Sequence, residues 1–86
     1  MNNISICIIG RKTKDFTEHL TVIRKIEGLK VLKRRNKPFY DITGDINGDD
    51  NIATMREALE YMLNNCGAEI EIKDAELRQV FFDMLK

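Results

Sequence analysis

Apolar residues recur with two different spacings in this chain, and each spacing belongs to a different kind of secondary structure. Alternation of apolar with other residues predicts β-strands over residues 4–9 and 68–73, and the segments 29–34 and 39–43, which flank a turn-prone stretch, predict two more. Apolar residues one helical turn apart predict three amphipathic helices, over residues 15–27, 52–66 and 74–85. The predicted order of elements is therefore βαββαβα.

The apolar faces of these elements predict how they pack. Each predicted helix has one apolar face, and the strand at 68–73 has one polar face. The strand at 4–9 is partly apolar on both faces, which predicts a position inside the sheet. The economical arrangement is an α+β fold in which one four-stranded antiparallel sheet carries all three helices on one face. A chain of 86 residues has room for one such domain, residues 1–86.

Short-range signals predict where the elements begin and end. Asp15 with Glu18 three residues later matches a capping box at the start of the first helix, and Gly28 and Gly67 suit helix C-termini. The turn-prone segment 35–38 predicts a hairpin between the second and third strands. The polar stretch 44–51 is predicted to be a loop.

Charge is distributed unevenly along a chain whose net charge is zero. Residues 1–43 hold 10 Lys and Arg against 4 Asp and Glu, and residues 44–86 hold 4 against 10. Such a dipole can steer an acidic partner or nucleic acid, or it can be satisfied within the fold. The sequence shows neither a signal-peptide pattern nor an apolar run of membrane-spanning length, so we expect a soluble cytoplasmic protein with free thiols at Cys7 and Cys66.

A family resemblance is carried by the segment that follows the second predicted helix. Residues 65–72 combine a turn of small residues with a strand that begins Ala68, Glu69 and Ile70, and an amphipathic helix follows. Together with the order and length of the elements, this segment resembles HPr, the phosphocarrier of the bacterial sugar phosphotransferase system. The resemblance implies an HPr-like open-faced β-sandwich, and the ferredoxin-like fold shares most of the element order.

The resemblance also implies an active segment between the first strand and the first helix. In the family this segment places a phosphohistidine at the helix N-terminus, with an arginine two residues later and a proline. Residues 10–16 lack all three at the matching positions, and His19 lies one turn further along the helix. We therefore expect no catalytic residues and no phosphate transfer, and a phosphocarrier that uses His19 ranks third among the hypotheses.

Two basic segments are candidate binding sites. Arg11, Lys12 and Lys14 precede a helix N-terminus, which favours anions, although they also suit a solvated loop. The hairpin carries a second set of cations near Phe39 and Tyr40, which predicts an alternative function in nucleic-acid binding through Lys33, Arg34, Arg35 and Lys37. Lysines on edge strands also serve simply to block aggregation.

Two further patterns lie near the second helix. Residues 45–52 reproduce part of the ligand spacing of a calcium loop, but Asp50 replaces the turn glycine and Arg56 replaces the final acidic ligand, so a polar loop without metal or cofactor is the preferred interpretation. Thr54 lies where the resemblance implies a regulatory serine, and it is either a phosphate acceptor or an unmodified helix residue.

The leading hypothesis is a divergent, HPr-like regulatory module that binds a protein partner. The contact is predicted to use the loop before the first helix together with the second helix. The residues proposed for it on that helix are Ile52, Thr54, Met55, Leu59 and Met62. The same apolar spacing would equally describe a face that packs into the core.

Overall fold

The fold is given by a computed structural model that describes residues 2–72, 74, 78 and 79. The elements within these residues are β1 (Asn2–Ile9), α1 (Lys14–Arg24), β2 (Leu29–Lys33), β3 (Phe39–Ile46), α2 (Asp49–Asn65) and β4 (Glu69–Ile72). The six elements follow the predicted order βαββαβ. The third predicted helix lies outside the described residues, except for positions 74, 78 and 79. No helix in the described part of the chain has the length and apolar character that a membrane crossing needs.

The four strands form one antiparallel sheet in the order β2-β3-β1-β4. The predicted α+β class, the antiparallel sheet and the interior position of β1 are therefore confirmed. Because neighbouring strands are antiparallel, β1 runs parallel to β2 with β3 between them, and β3 runs parallel to β4 with β1 between them. The chain thus builds two interleaved split βαβ units, which is the ferredoxin-like arrangement.

The core lies between one face of this sheet and the two helices. On β1 the buried residues are Ile4, Ile6 and Ile8, whereas Ser5 on the opposite face is exposed. Helix α1 buries Phe16, Leu20 and Ile23 against the sheet, and α2 buries Met55, Leu59 and Met62. The other face of the sheet has no described helix over it and is called the open face below.

The first helix begins and ends at different residues from those predicted. Its N-cap is Thr13, whose side-chain oxygen accepts a hydrogen bond from the backbone N–H of Phe16. Asp15 is therefore a first-turn residue, where a carboxylate still interacts favourably with the helix dipole. The helix ends at Arg24, with Lys25 as its C-cap, because the N–H groups of Lys25 and Ile26 already close the last turn.

Gly28 has a different function from the predicted helix cap, because it allows two strands to approach closely. It has a φ of 91° and lies beside Gly44, whose φ is 131°. A Cβ atom on Gly44 would collide with the backbone oxygen of Gly28, and a Cβ atom on Gly28 would collide with that of Asp45. The pair of glycines therefore fixes the distance between the start of β2 and the end of β3.

The polar stretch 44–51 is mostly regular structure and not the predicted loop. Strand β3 continues to Ile46, which is fully buried, and α2 begins at Asp49. Only Asn47 and Gly48 connect them. The polar residues around Ile46 suggested that the strand ends earlier, but burial of the Ile46 side chain extends it. The residues with calcium-loop spacing are thus divided between a strand and a helix, and no group of three acidic, histidine or cysteine ligands occurs within the described residues.

Candidate partner-binding site

Two loops that are distant in sequence meet at one end of the sheet. The backbone N–H of Gly10, after β1, donates to the carbonyl oxygen of Pro38 in the hairpin turn at 3.0 Å. This bond places the β1–α1 loop beside the hairpin turn. Both segments carry exposed cations, and we call this surface the basic end, defined by Arg11, Lys12, Lys14, Arg35 and Lys37.

A surface depression of about 510 Å³ lies at this end. Its wall includes Arg11 and Pro38 from the two loops, Cys66 from the connection between α2 and β4, and Glu69 at the start of β4. Burial, and to a lesser extent the charge of Asp15, raises the pKa of the Cys66 thiol. The thiol therefore stays protonated near neutral pH and is a weak nucleophile, so the depression has the character of a binding surface lined by one cation and one carboxylate.

The predicted anion site at the N-terminus of α1 is partly occupied by the protein itself. The hydroxyl of Thr13 already accepts one of the free N–H groups, and Asp15 adds a carboxylate to the first turn. Tyr61 of α2 donates a hydrogen bond from its hydroxyl to that carboxylate at 3.0 Å. Arg11, Lys12 and Lys14 are all exposed, but they surround a helix terminus that is already supplied with hydrogen-bond acceptors.

The structure divides the cations predicted for nucleic-acid binding into two groups. Lys33, Arg35 and Lys37 are exposed. Arg34 is different, because it forms a bidentate ion pair with Asp41 at 2.8 and 3.0 Å and lies 5.2 Å from the centre of the Phe39 ring. Three of the four predicted cations are therefore available to a ligand without breaking an internal ion pair.

The two aromatic residues proposed to stack on bases are both engaged elsewhere. Tyr40 is buried, with its ring 5.2 Å from that of Phe16 in the core. Phe39 is half-buried on the open face, and the charged groups of Arg34 and Lys37 lie 5.2 and 5.8 Å from its ring centre. The prediction of a stacking surface is therefore wrong for Tyr40, because the alternation of β3 points this side chain toward the helices.

The ion pair on the open face lies beside the thiol of Cys7. The hydrogen bond from Arg34 holds the pKa of Asp41 below its usual value. Burial, followed by the charge of Asp41, raises the pKa of the Cys7 thiol. Cys7, Arg34 and Asp41 line a depression of about 260 Å³ together with Ser5 and Glu71. The thiol is thus held in its neutral form beside fixed charges.

The apolar contact predicted on the second helix needs correction. Met55, Leu59 and Met62 are each 0 % exposed and belong to the core, and Ile52 is half-buried against them. The spacing at these positions describes the core-facing side of α2, and a partner cannot reach the three buried side chains. Thr54 is half-buried and donates a hydrogen bond from its hydroxyl to the carbonyl oxygen of Asp50 at 2.9 Å, so its hydroxyl already has an acceptor.

His19 is half-buried and stacked between the helices. Its ring lies parallel to that of Tyr61, with 3.9 Å between the ring centres. Its Nδ1 atom lies 2.8 Å from the carbonyl oxygen of Asp15, so Nδ1 carries the proton and donates it to this acceptor. His19, Val22, Thr54 and Tyr61 are among the residues that line a groove of about 310 Å³ between the helices. His19 is therefore a half-buried residue inside α1, one turn beyond the helix N-terminus.

No family model, curated protein or solved structure matches this chain. The geometry of its own residues is therefore what supports a function. Sequence reasoning found both basic segments but did not join them, although the order of strands places the end of β1 beside the hairpin turn. It missed the contacts of Tyr61 with His19 and Asp15, for which the sequence holds no signal, because they depend on how α1 and α2 cross.

Proposed function

We propose that the protein is a binding module that recognises an acidic segment of a partner protein through its basic end. The observation that carries the proposal is the hydrogen bond between Gly10 and Pro38, which joins the two basic loops into one surface. A ligand at this surface meets several exposed cations from two loops. We propose that the protein works in the cytoplasm by binding and not by catalysis.

Charge complementarity gives such a surface its selectivity. Exposed cations raise the association rate of an acidic partner and disfavour basic ones. The depression beside Arg11 and Pro38 adds a partly apolar floor, which includes Ile9. An acidic segment with an apolar side chain would contact both parts of this surface.

Two features favour a protein ligand over nucleic acid. The ring of Phe39 is flanked by the charged groups of Arg34 and Lys37, so it does not offer a free platform for stacking. The depression beside Arg11 also includes the apolar residue Ile9, which suits an apolar side chain of a peptide better than a phosphate group.

We also propose that the fold has an HPr-like origin, without the phosphate-transfer activity of that family. Its support is the element order, the antiparallel sheet and the resemblance of residues 65–72. The interleaved order of the strands in the sheet is the ferredoxin-like arrangement, whereas the order of elements along the chain is shared by both families. Partner binding through the basic end does not depend on which relationship is correct.

The experiment uses two probes of opposite type, a short polyglutamate peptide carrying leucines and a single-stranded oligonucleotide of equal charge. We expect the peptide to bind more tightly than the oligonucleotide at the same salt concentration. The double variant Lys12→Glu, Lys37→Glu should weaken peptide binding by about tenfold or more, because it reverses one charge in each loop.

The matched control is Arg24→Glu, Lys25→Glu, which makes the same change in net charge at the other end of α1. This control should bind the peptide within about twofold of the unmodified chain if the basic end is the contact, since distant charges are screened. Equal losses in both double variants would contradict the proposal. Preferential binding of the oligonucleotide, with a steep dependence on salt, would assign the surface to nucleic acid instead.

A further inference from the structure

The two edges of the sheet are complementary to each other. The edge strand β2 has Lys30, Lys33 and an exposed Leu32, whereas β4 at the other edge has Glu69 and Glu71. Leu32 is 62 % exposed and is the most exposed large hydrophobic residue of the described chain. We propose that β2 of one molecule pairs with β4 of a second copy, so that the sheet continues from one molecule into the next.

The hydrogen-bond pattern within the sheet shows which backbone groups are directed outward on β2. The N–H of Arg34 donates to the oxygen of Phe39, and bonded residues alternate along an antiparallel pair. The backbone groups of Lys30 and Leu32 therefore hydrogen-bond to β3. The backbone groups of Val31 and Lys33 point away from the sheet, and so does the carbonyl oxygen of Leu29.

The same reasoning applies to β4. Because the N–H of Gly10 bonds to Pro38, every second residue of β1 hydrogen-bonds to β3. Cys7 and Ile9 lie between these residues and therefore hydrogen-bond to Glu71 and Glu69 of β4. The backbone groups of Ile70 and Ile72 consequently point away from β1. The carbonyl oxygen of Ile72 accepts hydrogen bonds from the guanidinium of Arg78, at 2.7 and 3.2 Å. Among the described residues, the outward groups that remain are therefore those of Ile70 and the N–H of Ile72.

One register between copies satisfies the backbone and the side chains together. If Val31 lies opposite Ile70, these two residues exchange both hydrogen bonds, and the N–H of Ile72 reaches the oxygen of Leu29. Among the groups left over, the N–H of Leu29 already donates to Ile26 and the oxygen of Ile72 already accepts from Arg78. The outward groups of Lys33 lie opposite Ala68, beyond the end of β4, at the margin of the contact. Strand directions also agree, since β2 and β4 are antiparallel in a continued sheet of this order.

Side chains match in the same register. Val31 and Ile70 are both half-buried apolar residues on the helix side of the sheet, and each would cover the other. On the open face, Lys30 lies opposite Glu71, and Leu32 lies beside the aliphatic part of Glu69. Pairing of two β4 strands through Ile70 would instead set Glu69 against Glu71, and pairing of two β2 strands would leave their lysines without a carboxylate partner. The contact is therefore heterologous, with a different strand from each molecule, and it can build rings or open chains.

The test uses proline at outward-facing positions, which removes a donor that the molecule's own sheet does not use. Val31→Pro blocks the β2 edge, and Ile70→Pro blocks the β4 edge. The unmodified chain should increase in weight-average mass by sedimentation between about 10 µM and about 1 mM, the range expected for a small interface. Each proline variant alone should stay monomeric, and an equal mixture of the two should form a one-to-one complex and nothing larger.

If a proline variant fails to fold, charge variants that leave the backbone unchanged test the same contact between β2 and β4. Lys30→Glu, Lys33→Glu should abolish association, and Lys25→Glu, on α1, should not. A chain that stays monomeric at all concentrations overturns the proposal, as does association of each proline variant with itself. A monomeric chain whose β2 amide signals respond to an unrelated extended peptide also overturns self-pairing and assigns the edge to a different protein.

Discussion

The side chain of Asp41 shows how one residue can determine the state of several neighbours. It accepts both hydrogen bonds of the Arg34 guanidinium, and its charge contributes to the raised pKa of Cys7. Its own pKa is lowered by that ion pair, so any stabilisation from it is complete above the pKa of an unfolded aspartate and is lost as the pH falls through the lower, folded value.

Replacing Asp41 by asparagine should therefore make Cys7 more reactive. The variant removes a negative charge beside the thiol and leaves the positive charge of Arg34, so the pKa of Cys7 should fall and its thiolate fraction should rise. We expect faster alkylation of Cys7 by iodoacetamide at pH 7 to 8, measured by mass spectrometry of peptides. Cys66 is an internal control, and an equal increase at both cysteines would show loosening of the fold instead.

The setting of His19 predicts that the chain does not accept phosphate. Nδ1 is engaged by the oxygen of Asp15, the ring is stacked on Tyr61, and the residue lies inside α1 and not at its N-terminus. Incubation with phosphoenolpyruvate and the general enzyme that phosphorylates HPr should leave the mass unchanged, because phosphate transfer requires an acceptor held in line with the donor. Acid-labile phosphate that disappears in His19→Ala would contradict this prediction and the non-carrier function with it.

The start of α1 is capped by one side-chain hydrogen bond, which the hydroxyl oxygen of Thr13 accepts from the N–H of Phe16. Thr13→Ala should lower the free energy of unfolding by about 1 kcal/mol, the usual cost of losing an N-cap. Urea denaturation followed by circular dichroism would measure the difference. Thr17→Ala is the matched control, because Thr17 is an exposed residue within the same helix and alanine is the better helix former there. Equal losses in both variants would show that Thr13 does not act as a cap.

The second helix has its apolar stripe in the core, and this leads to a prediction that separates folding from binding. Leu59→Ala should reduce the free energy of unfolding by about 2–5 kcal/mol, since it opens a cavity under a fully buried side chain. Val22→Ala, at a position that is 42 % exposed, should change it by about 0.5 kcal/mol or less. Binding of the polyglutamate probe to the folded fraction should be the same in both variants. A loss of binding in Leu59→Ala alone would show that α2 contributes to the partner contact.

The pattern of apolar residues was sufficient to predict the described elements and the class of the fold. Ile4, Ile6 and Ile8 indicated a central strand because both faces of their strand avoid charge. The order of strands could not be read in the same way, because it depends on pairing between distant segments. The role of α2 was predicted incorrectly, since a helical stripe has the same spacing whether it faces a partner or the core. Burial of Met55 and Met62 decides between these two possibilities.

The interleaving of the two split βαβ units also has a kinetic consequence. Strand β1 receives its neighbours only from later parts of the chain, first β3 and finally β4. Neither unit can therefore form a complete sheet by itself. The pairing of β1 with β3 and β4 requires the closure of long loops, and the loss of chain entropy in this closure comes before the new contacts can offset it. The chain should consequently have a high contact order and fold more slowly than a helical bundle of equal length. During synthesis, β1 would leave the ribosome long before its last partner. The edge of β1 that later pairs with β4 would therefore stay open to other strands until β4 emerges.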